Sequence, residues 1–134
     1  VIARGEVKVE ELSAFHNKIE TLLGKEGAYY DDLFYCPHHP DSGFEGEIKE
    51  LKFDCDCRKP KTGLLLKAKE KYNIDLSKCF FVGDSTMDIQ TGINAGMKTI
   101  LVKTGNKGED GKYDAKPDYI ITNLSEISKI VEGE

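Results

Sequence analysis

Two short stretches hold most of the residues in this chain that could do chemistry: Cys36-Pro37-His38-His39-Pro40 and Asp54-Cys55-Asp56-Cys57-Arg58-Lys59-Pro60. Residues 36–57 contain three of the four cysteines and two of the three histidines. The pairs Cys36-x-His38 and Cys55-x-Cys57 supply three sulfurs and one imidazole, a donor set suited to a closed tetrahedral zinc site. His39, Asp54 and Asp56 are the residues that would replace one of these four ligands if the set were different. Other uses of the cysteines stand beside this one. An isolated cysteine is commonly a small buried apolar residue, and Cys79, inside an apolar run, is expected to be core. A Cys55–Cys57 disulfide would be strained across one intervening residue. A disulfide from Cys36 to either of them needs an oxidising compartment, to which no signal-like segment points. Clustering favours zinc. The basic pair Arg58-Lys59 directly follows the last cysteine, so the metal loop, residues 36–60, ends in two cations suited to a phosphate.

A second chemical feature is Gly83-Asp84-Ser85-Thr86-Met87-Asp88. It follows an apolar run and precedes a helical pattern. In an open parallel sheet, ligands bind outside the carboxyl ends of the strands. Asp84, placed there by a glycine turn, can ligate a hard cation such as Mg²⁺ through oxygen. Asp88 has two readings: a contributor to the same site, or the helix-side partner of Ser85 in a capping box.

The elements that must position these residues alternate along the chain. Residues 8–23 carry Leu12, Phe15, Ile19, Leu22 and Leu23 at helical spacing, with Gly24 expected to end the helix. A short strand is expected over residues 32–35, running into Cys36. A helix over 62–72 puts Leu64, Leu65, Ala68 and Tyr72 on one side. Cys79-Phe80-Phe81-Val82 reads as a strand buried on both faces. A helix from Thr86 to Ala95, closed by Gly96, leads to a buried strand over 99–102. After a Gly/Lys/Asp-rich loop at 103–117 come a strand over 119–121 and a last helix. Asn123 opens that helix, with Glu126 at capping-box spacing. Such alternation implies parallel pairing and a doubly wound α/β sheet.

Composition frames this reading. The 134 residues, 39% hydrophobic, suffice for one domain with one core. A net charge of −5 argues against a nucleic-acid-binding surface. The apolar runs are too short to span a membrane. A soluble, cytoplasmic single domain is the expectation.

Gly83-Asp84-x-x-x-Asp88 after a buried strand resembles the last acidic motif of the haloacid dehalogenase (HAD) superfamily of phosphatases. Cys-Pro-His-His-Pro followed by Cys-x-Cys-Arg-Lys-Pro resembles that superfamily's zinc-containing branch, which acts on heptose 1,7-bisphosphate or histidinol phosphate. The doubled histidine and the long stretch from His38 to Cys55 look more like the heptose enzymes. Ile2-Ala3-Arg4-Gly5 resembles the segment just after the second motif, and the likeness extends over essentially the whole chain.

The resemblance implies a HAD-like (Rossmann-like) parallel sheet and Mg²⁺-dependent hydrolysis of a sugar bisphosphate at its 7-phosphate through an aspartyl-phosphate. It makes Asp84 the Mg²⁺ ligand, with Asp88 behind it, and Lys59 the cation on the transferring phosphoryl group. Arg58, Lys59 and Ser85 would contact the phosphosugar. Zinc on Cys36, His38, Cys55 and Cys57 would shape the loop. Ser85 departs from a lysine found in some heptose enzymes.

The family's Asp-x-Asp nucleophile has no match here, since Asp54-Cys55-Asp56 follows no buried strand. The chain therefore resembles the carboxyl-terminal part of such an enzyme. That part alone is expected to be inactive, and to self-associate through an open strand edge. Histidinol-phosphate phosphatase is the alternative enzyme. A non-catalytic zinc-stabilised α/β module is the reading if the natural chain is this short.

Overall fold

The computed structural model describes residues 1–133. The chain divides into two compact units, Val1–Arg58 and a second beginning at Lys59.

The first unit has one α-helix, α1 (Val9–Lys25), and a 3₁₀ turn at Lys49–Leu51. Glu10 and Glu11 in the first turn and Lys25 in the last complement the helix dipole. Gly24 does not end the helix. The left-handed residue is Gly27, at φ +71°. Ala28 N–H donates to the Leu23 carbonyl at 2.9 Å and Gly27 N–H to that of Gly24 at 3.1 Å, the Schellman pattern that closes a helix at the residue after its cap. Residues 32–35 form no strand despite their apolar character, and the Asp32 carboxylate accepts the Leu33 N–H at 2.8 Å. The amino-terminal turn is well packed, with Ile2 and Ala3 buried. Ala3 accepts the N–H of Ile48 at 3.0 Å. A Cβ on Gly5, at φ +72°, would sit 2.0 Å from the Gly46 carbonyl oxygen, so only glycine lets the turn approach the 46–48 segment.

The second unit holds the sheet. Helix α2 (Gly63–Tyr72) ends at Asn73 in the left-handed conformation. Then follow β1 (Phe80–Gly83), α3 (Thr86–Asn94), β2 (Lys98–Val102), β3 (Tyr119–Ile121) and α4 (Ile127–Val131). The order is β1-β2-β3, all parallel, with Phe81 opposite Thr99 and Ile100 opposite Tyr119. Side chains alternate across the sheet. On one face Ile100, Val102 and Ile121 form the core, with Phe80, Val82, Tyr119, Ile127 and Ile130 packed on it. On the other face lies α3: a Cβ on Gly92 would come 2.6 Å from Thr99 Cγ2 and 2.9 Å from Phe81 Cβ. The missing side chain of Gly92 therefore sets how closely α3 sits on β1 and β2.

Two expectations fail here. β1 is half-buried rather than enclosed on both faces, because it lies at one end of the strand order. Cys79 is not in the strand. It is half-buried after a 3₁₀ turn at Leu76–Lys78, with its Sγ 3.2 Å from the Asp75 carbonyl. Asn123 does open the last helical segment, but it caps a 3₁₀ turn by accepting the Ser125 N–H at 2.9 Å, and Glu126 turns to the N–H of Thr122.

Candidate functional site

In the first unit, the ligand atoms of Cys36, His38, Cys55 and Cys57 all lie within 4.8 Å of one another. Cys36 Sγ stands 3.5 Å from Cys55 Sγ and 3.2 Å from Cys57 Sγ, and His38 Nδ1 stands 3.1 Å from Cys57 Sγ and 3.8 Å from Cys36 Sγ. A tetrahedron with zinc–sulfur bonds of about 2.3 Å has sulfur–sulfur edges of about 3.8 Å, so the observed edges are those of a slightly contracted cluster that a small outward shift would fit to such an ion. Cys55 and Cys57 are buried, and the His38 ring is held against Phe53 at a centroid distance of 4.3 Å.

The electrostatics of the cluster also ask for a cation. Burial opposes ionising Cys55, but its sulfur partners Cys57 and Cys36 outweigh that and bring the thiol down to about 7. Cys57 goes the other way, to about 12, through burial and the neighbouring sulfurs of Cys36 and Cys55. The Cys55 thiolate forms readily, and its charge helps hold Cys57 protonated until a metal neutralises the pair.

The residues named as alternatives stand apart from this set. Asp54 and Asp56 are exposed. His39 is buried, and its Nδ1 accepts the Asp41 N–H at 3.1 Å. Burial, then the charge of Arg58, holds its pKa below the usual histidine value. Arg58 itself is half-buried.

In the second unit, the turn after β1 carries the acidic residues. A Cβ on Gly83 would stand 2.2 Å from the Asp88 Cβ, so the glycine makes room for that side chain. Ser85 is the N-cap of α3, and the capping box is complete: the Asp88 N–H donates to Ser85 Oγ at 3.2 Å, and the Ser85 N–H donates to Asp88 Oδ2 at 3.2 Å. Ser85 Oγ also donates to Oδ2, at 2.7 Å.

The other carboxylate oxygen, Oδ1, takes the ammonium of Lys59 in a short ion pair. The capping reading of Asp88 therefore holds on one oxygen, while the other oxygen is paired with Lys59. Burial works against its ionised form, but the bonds from Lys59 and Ser85 prevail and depress its pKa. Its side chain is 7% exposed while that of Lys59 is 48% exposed, so the anion is fixed and the cation still faces solvent. Just beyond Lys59, Asn94 Nδ2 donates to the Pro60 carbonyl at 3.0 Å and ties the segment to α3.

Asp84, one residue past the strand, has its carboxylate gripped by the 103–117 loop, whose side chains carry no role in the sequence pattern. Asn106 donates to Oδ2 from both its backbone N–H, at 2.7 Å, and its side-chain amide, at 3.0 Å. The Asp110 carboxylate accepts the N–H and hydroxyl of Thr86 at 2.6 and 2.8 Å. Glycines and charges at 103–117 announce a loop, but composition does not say which side chains it sends back to the turn.

Two measurements test this geometry. Protein purified without chelator should contain about one zinc per chain by elemental analysis; Cys55→Ser should lose it and disorder the loop, whereas Cys79→Ser should retain it. The Asp88 carboxylate has a lower pKa folded than unfolded. Its stabilisation is therefore full above the unfolded value, about 4, and is lost as pH falls through the folded value. In urea unfolding, the stability gap between wild type and Asp88→Asn should be widest near neutrality and close below about pH 4. A gap independent of pH would exclude the ion pair.

Known proteins resemble this chain over nearly all its length. The HAD-hydrolase-like family matches residues 56–127. The D-glycero-beta-D-manno-heptose-1,7-bisphosphate 7-phosphatase of Pasteurella multocida is 38% identical over 134 residues, spanning 98% of this chain and 69% of that protein. The enzyme of the same name from Pseudomonas putida is 41% identical over 130 residues, 96% of this chain and 67% of the relative. Among solved structures, the D,D-heptose 1,7-bisphosphate phosphatase from B. bronchiseptica, complexed with magnesium and phosphate, superposes with a TM-score of 0.78 at 30% identity, covering 98% of this chain and 69% of its own. Parallel sheet, strand–turn–helix acidic motif and sequence agree, and the chain belongs to the HAD-hydrolase-like family.

Proposed function

We propose that this chain is the carboxyl-terminal part of a Mg²⁺-dependent phosphatase that, as the intact enzyme, hydrolyses D-glycero-D-manno-heptose 1,7-bisphosphate at its 7-phosphate through an aspartyl-phosphate. One observation carries the reading: the half-exposed Lys59 ammonium is held on Asp88, in the same turn that sets Asp84 at the carboxyl end of β1. A fixed cation and a carboxylate at a strand end are what a phosphoryl group and its metal require. The names of the relatives, and the magnesium and phosphate complexed by the B. bronchiseptica enzyme, support the same chemistry and favour the heptose substrate over histidinol phosphate.

Asp84 fits as the Mg²⁺ ligand, since a hard cation prefers carboxylate oxygen and the loop has already fixed the side chain. Bound there, Mg²⁺ would supply charge neutralisation at a phosphate oxygen. Lys59 would face the transferring phosphoryl group and offset the charge that builds in the transition state. Asp88 holds the lysine without entering the reaction. Arg58 would grip phosphate or a sugar hydroxyl with its planar fork. Ser85, whose hydroxyl is engaged by Asp88, would touch substrate at the mouth of the turn. Zinc on the four cluster residues would have no open position and would stabilise the loop only. A thiolate site of this kind suits a reducing compartment, which supports a cytoplasmic location. The end position of β1 in the sheet supports self-association of the isolated chain.

Phosphate release from heptose 1,7-bisphosphate by the full-length protein tests the reading. Turnover should require Mg²⁺ and exceed that on histidinol phosphate. Asp84→Asn should raise the Mg²⁺ requirement, and Lys59→Ala should lower kcat by about 10²–10³. Turnover insensitive to chelator, or unchanged in Lys59→Ala, would contradict it.

A further inference from the structure

We infer that Asn106 is a positioning residue that presents Asp84 to the cation through a single oxygen and thereby biases the site toward Mg²⁺ over Ca²⁺. The inference rests on the assignment of Asp84 as the Mg²⁺ ligand. A carboxylate one residue past a strand end is free to rotate unless something holds it. Here both donors of Asn106 converge on Oδ2, at 2.7 Å from the backbone and 3.0 Å from the amide, and Oδ1 carries neither.

The neighbouring chain is built for that grip. Gly105 adopts φ +67°, and a Cβ on it would stand 2.2 Å from Oδ2, so the backbone can approach the carboxylate only as glycine. The Gly108 N–H donates to the Asp84 carbonyl at 2.8 Å. Asp110 takes the N–H and hydroxyl of Thr86, and that hydroxyl accepts the Tyr113 N–H at 3.1 Å. The loop is thus hung on Asp84 and Thr86 at several points, and its side-chain bond to the Asp84 carboxylate comes from Asn106.

With Oδ2 occupied by two N–H donors, Oδ1 is the oxygen left for a metal, and ligation is monodentate. Mg²⁺ demands near-ideal octahedral geometry and single-oxygen contacts, whereas Ca²⁺ accepts bidentate carboxylates. Donors outside the ligand set commonly govern metal affinity in this way. Removing the amide leaves Oδ2 with the backbone N–H as its Asn106 donor and loosens the carboxylate toward offering both oxygens, which costs Mg²⁺ more than Ca²⁺.

Calorimetric titration of the full-length protein with Mg²⁺ and with Ca²⁺, without substrate, tests this alongside thermal unfolding. Asn106→Ala should weaken Mg²⁺ binding about tenfold and Ca²⁺ binding by a smaller factor, with little change in Tm. Asn106→Ser, which keeps a short donor, should recover part of the loss. Mg²⁺ affinity within roughly twofold of wild type in Asn106→Ala, while Asp84→Asn abolishes binding, would overturn the inference alone. Equal losses for the two cations with a lowered Tm would also overturn it, since that pattern belongs to a structural residue. If Asp84→Asn leaves Mg²⁺ binding intact, the ligand assignment falls and the inference with it.

Discussion

The second unit depends on satisfying one buried carboxylate, that of Asp88. A charge at 7% exposure is costly unless each oxygen finds a donor, and here Ser85 serves one oxygen and Lys59 the other. That requirement reaches outward. Gly83 must lack a side chain for Asp88 to fit beneath it, and Ser85 must stand at the cap for α3 to begin where it does. Gly92 must be bare for α3 to lie close on Phe81 and Thr99. The carboxylate that nucleates the helix also immobilises the lysine proposed to meet a phosphoryl group. One residue therefore links helix initiation to chemistry.

The cysteine–histidine cluster in the first unit meets a different constraint. Three sulfurs within 3.5 Å of one another or of a shared neighbour cannot all carry charge without a cation among them. The unit has one helix and no strand, and α1 contains no fully buried residue. Little apolar packing is available to hold residues 36–58 in shape, and a metal would supply that order directly. The sulfurs, rather than a hydrophobic core, are then the organising element of this segment.

The parts legible in sequence were those governed by local or periodic rules. Leu64 and Leu65 followed by Ala68 and Tyr72 mark α2, and Thr99 to Val102 and Tyr119 to Ile121 mark strands, because each is an apolar face or run with the period of its element. The grouping of Cys36, His38, Cys55 and Cys57 was legible because Cys-x-His and Cys-x-Cys pairs constrain their own geometry. The failures share a cause. Residues 32–35 looked like a strand because sequence shows apolar character but not whether a ladder partner exists. Gly24 looked like a stop because it is a glycine, whereas the stop is where the left-handed turn closes, at Gly27. Asp88 offered two readings because its spacing shows a capping carboxylate but not the Lys59 ammonium that its other oxygen meets. Asn106 and Asp110 were missed because their partners, Asp84 and Thr86, lie more than twenty residues away in sequence.

In the proposed enzyme Asp88 acts only by holding Lys59, and this is open to a direct test. The kcat/KM of the full-length protein on heptose 1,7-bisphosphate should be measured for wild type, Lys59→Ala, Asp88→Asn and the double variant. Each single change should lower it about a hundredfold or more, and the double variant should be no worse than Lys59→Ala, because the second change removes a support whose load is already gone. Losses that multiply in the double variant would show that the two residues act independently, and would contradict the role assigned to the pair.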